Sequence, residues 1–149
     1  MTTGEIEAFS LSVGGAESTI GWPGALAAVD TKLYIADPGN DQVLVVDQDT
    51  GEVVSAHALR DDAGDQVTPW ALTAHDGTIY VSDALDGRIY ALTGNVSEPI
   101  DLGDQEVDML DVRPAALAVM GDDLLVTDGA SPQIFSISLE TGEVTNLVG

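Results

Sequence analysis

The chain repeats itself three times, and a repeat of this period constrains the fold before any single residue does. Pro23-Gly24-Ala25-Leu26-Ala27, Pro69-Trp70-Ala71-Leu72-Thr73 and Pro114-Ala115-Ala116-Leu117-Ala118 stand at intervals of 46 and 45 residues. Each is followed by Leu33-Tyr34-Ile35-Ala36-Asp37, Ile79-Tyr80-Val81-Ser82-Asp83 or Leu124-Leu125-Val126-Thr127-Asp128, so an aspartate stands fourteen residues after every proline. A third run, Val43-Leu44-Val45-Val46, matches Ile89-Tyr90-Ala91-Leu92 and Ile134-Phe135-Ser136-Ile137. A fourth closes the unit with Thr50-Gly51-Glu52-Val53 and Thr141-Gly142-Glu143-Val144, where the second copy has Ser97-Glu98-Pro99-Ile100.

Each copy therefore holds four short runs rich in β-branched and aromatic residues, divided by Gly, Asp, Asn and Pro, which predicts four antiparallel strands and their turns. Asp76-Gly77 and Gly121-Asp122 supply the positive φ of tight hairpins, and Pro38-Gly39-Asn40 fits a type II turn. The second and third runs are apolar at successive positions, so the sheet should be covered on both faces. Pro99 would cost a central strand a ladder hydrogen bond, which places the fourth run at the outer edge. No run is long enough for a helix. Four-stranded sheets repeating every 40 to 50 residues make a β-propeller.

The pattern P-x-A-L-A, then L-Y-I-A-D-P-G-N-D-Q-V-L-V-V-D, then T-G-E-V resembles the NHL-type repeat of six-bladed propellers, across residues 23 to 149. The resemblance implies an all-β chain of three four-stranded blades. The family's basic residue before the third strand is matched by Arg88, whereas Gln42 and Gln133 stand there in the other copies. The blade serves scaffolds, lyases, lactonases and extracellular domains alike, so the resemblance carries fold and not function.

The repeat divides the single domain, 1–149, into blade one at 23–59, blade two at 69–103 and blade three at 114–148. Thr3-Gly4-Glu5-Ile6 repeats the fourth run, which predicts a leading outer strand over 3–11. Three blades cannot surround an axis, so the expected assembly is a homodimer, a six-bladed ring with two equivalent head-to-tail junctions. The third blade already owns its fourth strand. The leading strand then adds to a partner's edge or detaches, unless the chain is cut from a longer protein. The exposed faces of the first and third blades should be as apolar as those between blades, with Val45 and Leu125 as candidates for the junction.

Charge narrows the partners. Twenty-six acids against four Lys and Arg give a net charge of −22, which repels a nucleic-acid backbone and an anionic membrane. The acids are spread over both ends of the repeat, a pattern of solubility at high salt rather than of one acidic site, consistent with the cytoplasm of a salt-adapted organism. The sequence shows no signal peptide and no apolar run of spanning length. It has no cysteine, which removes disulfides and thiolate chemistry.

Asp37, Asp83 and Asp128 are the candidate metal ligands, since a symmetric ring would present such carboxylates to a hard cation such as Ca²⁺. An Asp at a strand end also accepts N–H bonds from the next turn, and this structural role is the expected one. His57 and His75 lack zinc-motif spacing, and no nucleophile-elbow or phosphate-loop pattern is present. The inner runs carry Ala, Leu, Thr and Val where a propeller enzyme would place single Glu, Asn or Asp ligands. Trp22 and Trp70 could line an axial mouth, but packing within the blades is expected, as for Tyr34, Tyr80, Tyr90 and Phe135. The reading is a non-catalytic scaffold or binding module that pairs with itself and could take a small molecule or protein at the ring axis. The alternative is a fragment or subunit of a metal-dependent six-bladed hydrolase, lactonase or lyase.

Overall fold

A computed structural model of the chain describes residues 12–13, 16–17, 20–61, 63–83, 85–93, 96–100 and 112–148. They form three four-stranded antiparallel sheets and no helix. Blade one is β3 (Ala25–Val29), β4 (Lys32–Asp37), β5 (Gln42–Asp47) and β6 (Val53–Ala58), in that spatial order. Blade two is β7 (Pro69–His75), β8 (Thr78–Asp83), β9 (Ile89–Thr93) and β10 (Val96–Pro99). Blade three is β11 (Pro114–Met120), β12 (Asp123–Asp128), β13 (Ile134–Ser138) and β14 (Val144–Val148). A short hairpin of β1 (Ser12–Val13) and β2 (Ala16–Glu17) precedes them. The leading strand expected at 3–11 lies outside the described residues, as do residues 101–103 of the second blade's expected span.

Pro99 sits on the outermost strand β10 opposite Tyr90, where no further ladder claims its missing N–H. Asp76 and Gly77 both take positive φ, 47° and 80°, as a tight hairpin requires, while at the third blade's turn Gly121 has a φ of 64° and Asp122 stays outside that region. The Pro38-Gly39-Asn40 turn is not type II. Asn40 N–H closes on the Asp37 carbonyl at 3.1 Å, but the positive φ falls on Asp41, at 50°. Gly39 is glycine because the chain at 21–22 passes against it: a Cβ there would lie 2.9 Å from Trp22 N and 3.0 Å from the Gly21 Cα.

The innermost strands β3, β7 and β11 neighbour one another, and the blades stack face to face. Register assigns every side chain to a face. Tyr34 opposes Val45 and Ala36 opposes Val43, and these point at blade two; Leu33 opposes Val46 and Ile35 opposes Leu44, and these point away from it. The junction between blades one and two packs Ala27, Ala36 and Val43 against Leu72, Ile79, Val81, Tyr90 and Leu92. The next packs Ile89 and Tyr80 against Leu124, Val126, Phe135 and Ile137. At the first junction blade two turns bulky side chains towards a face of mostly smaller ones on blade one, whereas at the second both faces carry bulky residues.

Two expectations are corrected by this register. Val45 is buried against blade two and does not face an open junction. Strands that are apolar on both faces lose the alternation that would have shown which way Val45 points. The two terminal faces are also unequal. Blade one's bulky set is Leu26, Leu33, Ile35, Leu44 and Val46; Ile35, Leu44 and Val46 are already buried within the single chain, with Ile20 packed against them, and Leu26 at the rim is exposed. Blade three presents the smaller set, Ala116, Ala118, Met120, Leu125, Thr127 and Ser136, with Asp123 among them.

Leu124 is wholly buried between blades two and three. Leu124→Ala is expected to cost about 2–5 kcal/mol through lost burial and the cavity left behind. A urea titration that shows a drop below about 1 kcal/mol would count against that packing.

Candidate functional site

All three repeated aspartates end the second strand of a blade, and all three reach back to the segment that leads into the innermost strand. Asp37 accepts the N–H groups of Gly21 at 3.0 Å and Trp22 at 2.8 Å, and side-chain amides from Asn40 at 2.7 Å and Gln42 at 3.2 Å. Asp128 accepts Arg113 N–H at 3.0 Å, Ala130 N–H at 2.9 Å and the Ser131 hydroxyl. Asp83 accepts Leu85 N–H at 2.9 Å and the N–H of Thr68. Trp22, Thr68 and Arg113 occupy one repeat position, fifteen residues before their aspartates. The carboxylate is a clamp that fixes where each inner strand begins.

The clamp is not equally satisfied. Burial opposes ionisation of Asp37, but the donors on Trp22, Asn40, Gly21 and Gln42 outweigh it and hold the carboxyl below its ordinary value. The Ser131 hydroxyl, with the N–H groups of Ala130 and Arg113, does the same for Asp128. At Asp83 the balance reverses: burial and the neighbouring charge of Asp86 push it up past what the donors offset. Its Oδ2 is buried with no hydrogen-bond partner. The reason is legible in the repeat, because Asp86 and Arg88 stand where Asn40 and Gln42 donate in blade one.

Asp37 spends both oxygens on nitrogen donors, and among the described residues no three His, Asp or Glu side chains gather as a metal would need. The histidines lie apart from the clamps. His57, on the outer strand β6, meets Ser55 Oγ at 3.0 Å, and burial holds its pKa down. His75, at the far end of β7, has Nε2 at 3.6 Å from Asp122 and 3.7 Å from Asp76.

The end of the inner strands nearest the clamps forms a mouth whose side chains do not follow the repeat. Trp22 and Trp70 are not packed within the blades as expected. They are 67% and 40% exposed and meet edge to face, with ring centroids 6.4 Å apart. A β-bulge between Pro69 and Leu72 carries Trp70, with Ser82 Oγ accepting the Ala71 N–H at 3.0 Å. The extra residue turns the indole out of the ladder. Beside it a cavity of about 280 Å³ is lined by Trp70, Arg113, Pro114, Ala115 and Gly129. Arg113 was not singled out in the sequence, although its signal is plain: the repeat reads Trp22, Thr68, Arg113 at one mouth position and Gly24, Trp70, Ala115 at another.

No protein-family model matches the chain, and no curated protein matches it in sequence. Solved structures do match. A streptogramin B lyase superposes with a TM-score of 0.68 at 16% identity, over 87% of this chain and 41% of that one. The hydrazine synthase of Kuenenia stuttgartiensis gives 0.66 at 18%, over 86% of this chain and 36% of that one. The computationally designed Ika4 protein gives 0.62 at 19%, over 94% and 78%. The chain thus spans about two fifths of the lyase it matches. The fold is that of β-propeller blades, and no described helix is long and apolar enough to cross a membrane.

Asp37→Asn is expected to lower stability by about 1–3 kcal/mol at pH 7, because an amide cannot take all of the donors a carboxylate takes. Asp37 stabilises the fold above its unfolded pKa of 3.8, and that advantage fades as pH falls through the lowered folded value. Asp83→Asn should act oppositely. Wild type loses stability as pH rises from 3.8 through the raised folded pKa, so the variant is the more stable of the two at pH 7 and their urea midpoints converge on acidification. Two variants that shift in the same direction at pH 7 would contradict the contrast.

Proposed function

We propose that the protein is a non-catalytic β-propeller scaffold and binding module whose two open blade faces join head to tail with a second copy in a six-bladed ring. The match between those faces carries the reading. Leu26, Leu33, Ile35, Leu44 and Val46 on blade one are the repeat equivalents of Leu72, Ile79, Val81, Tyr90 and Leu92, which pack against blade one within the chain. Ala118, Leu125 and Thr127 on blade three are likewise the equivalents of Ala27, Tyr34 and Ala36. The two terminal faces correspond to the two halves of a junction that the chain already builds twice; a second copy would supply both missing halves at once, replacing what covers Ile35, Leu44 and Val46 in the single chain.

The exposed rim of that face supports the same reading. Leu26 is 61% exposed while its equivalent Leu72 is 6% exposed. Leu26 also edges an apolar groove of about 580 Å³, lined further by Ile20, Pro23, Leu33 and Ile35. A contiguous apolar surface of this kind marks an interaction site. On this reading the aspartate clamps serve the blade, and the inner strands, built of Ala, Leu, Thr and Val, serve packing.

Light scattering after size exclusion should give twice the 15.4 kDa chain mass. Leu26→Asp and Met120→Asp change one residue on each open face, both 61% exposed in the single chain, and each should weaken assembly at least tenfold while leaving the β spectrum intact. A wild-type monomer would overturn the ring and assign the bulky face to another segment of the chain. A chelator should leave the melting temperature unchanged; a marked fall would favour a metal-dependent propeller enzyme instead.

A further inference from the structure

We infer that the cleft between Trp70 and Arg113 is a binding site for a flat aromatic ring bearing a carboxylate. It is built from one chain and does not rest on the ring.

Three observations converge on it. The first is an aromatic wall that the fold exposes and braces. The bulge in β7 carries Trp70 at the mouth, and Trp22 holds it edge to face at 6.4 Å and 75°. An exposed indole fixed in this way offers a face for stacking with little further loss of freedom. The second is an uncommitted cation. In a chain with 26 acids, Arg88 lies 3.9 Å from Asp61 and Arg60 donates to the Gly64 carbonyl at 3.1 Å. The Arg113 guanidinium has no such partner among the described residues, and Arg113 lines the same cavity as Trp70. A planar guanidinium pairs with a carboxylate through two parallel hydrogen bonds.

The third is a rigid floor. Arg113 N–H is held by Asp128 at 3.0 Å, and the Arg113 carbonyl accepts Gly129 N–H at 2.8 Å. A Cβ at Gly129 would stand 3.2 Å from the Ala115 Cβ, so the backbone there is already closely packed. The backbone of Arg113 is therefore held by the clamp that begins the inner strand of blade three. The volume of about 280 Å³ suits a fused bicyclic ring rather than a larger ligand. The net charge of −22 does not forbid an anion here, because the Debye length at physiological salt is about 8 Å and the adjacent Asp128 is already compensated by its own donors.

The two tryptophans give two indole N–H signals, which makes the test direct. Titrating ¹⁵N-labelled protein with 2-naphthoate should shift the Trp70 signal saturably. The neutral analogue 2-naphthylmethanol should bind at least tenfold more weakly. Arg113→Gln should reduce the naphthoate affinity to that of the alcohol, and Trp70→Ala should remove both, with the urea midpoint of each variant near wild type. Arg60→Gln, away from the cleft, should leave the titration unchanged. Equal binding of acid and alcohol, an unaffected Arg113→Gln, or no saturable shift would each overturn the proposal. The Leu26→Asp variant should bind as wild type does, so that a failure of the ring and a failure of the cleft are told apart.

Discussion

The packing of one blade's face into the next governs the rest of this structure, and it is most unequal between blades one and two. Stacked sheets interdigitate at near-crystalline density, so two bulky faces would overpack and two small ones would leave voids. Here Leu72, Ile79 and Val81 meet Ala27, Ala36 and Val43, and Leu124, Val126 and Phe135 meet Tyr80 and Ile89. The pairing has a direction, from each blade to the next. It follows that the two open ends of a stack are unlike each other, and that whatever covers the bulky end must resemble the small end. A face-to-face pairing of two identical ends would put Leu against Leu or Ala against Ala. The head-to-tail arrangement avoids both.

The aspartate clamp adds what face packing leaves free, the height at which each inner strand starts. It ties the end of β4, β8 or β12 to a backbone amide fifteen residues earlier, so the inter-blade segment and the turn after the second strand are fixed together. Blade one makes this junction tightest, with Gly21 and Gly39 in contact distances that no side chain could enter. Blade two is the loosest, since Asp86 and Arg88 replace the amide donors and leave the Asp83 Oδ2 unpaired. Among the described clamps the unpaired carboxylate oxygen is thereby confined to blade two, next to the segment that leads into the exposed Trp70.

Much of this was legible in the residues. The spacing of Pro23, Pro69 and Pro114 located the blades, and Pro99 located an edge. What failed has a common cause. Alternation reports orientation only when one face is wet, so Val45 in an apolar run could not be assigned to a side. A glycine can be required by positive φ or by close approach, and sequence does not separate the two; at Gly39 it is close approach to Gly21 and Trp22 that requires it. The mouth was hidden by the attention a repeat draws to what recurs. Trp22, Trp70 and Arg113 differ from their repeat equivalents, and the differences mark the surface that the blade itself does not need.

The acidity of the chain is partly a consequence of the same turn chemistry. Eighteen of its 26 acids are aspartate. A short carboxylate can reach backbone amides two to four residues on, whereas glutamate overshoots them. Asp47 takes the N–H groups of Asp49 and Thr50 at 3.0 Å each, and Asp61 takes that of Asp65 at 2.7 Å. Aspartate is thus selected wherever this chain turns sharply, and a fold made of hairpins turns often. On the bulky faces charge stands at the strand ends, as with Asp37 and Asp83, and the small face of blade three carries Asp123 at the start of its strand. Negative charge is therefore gathered at the turns and strand ends and kept off the stacking surfaces. Repulsion between two such chains then acts at distances that salt screens, while the apolar contact acts at distances that it does not.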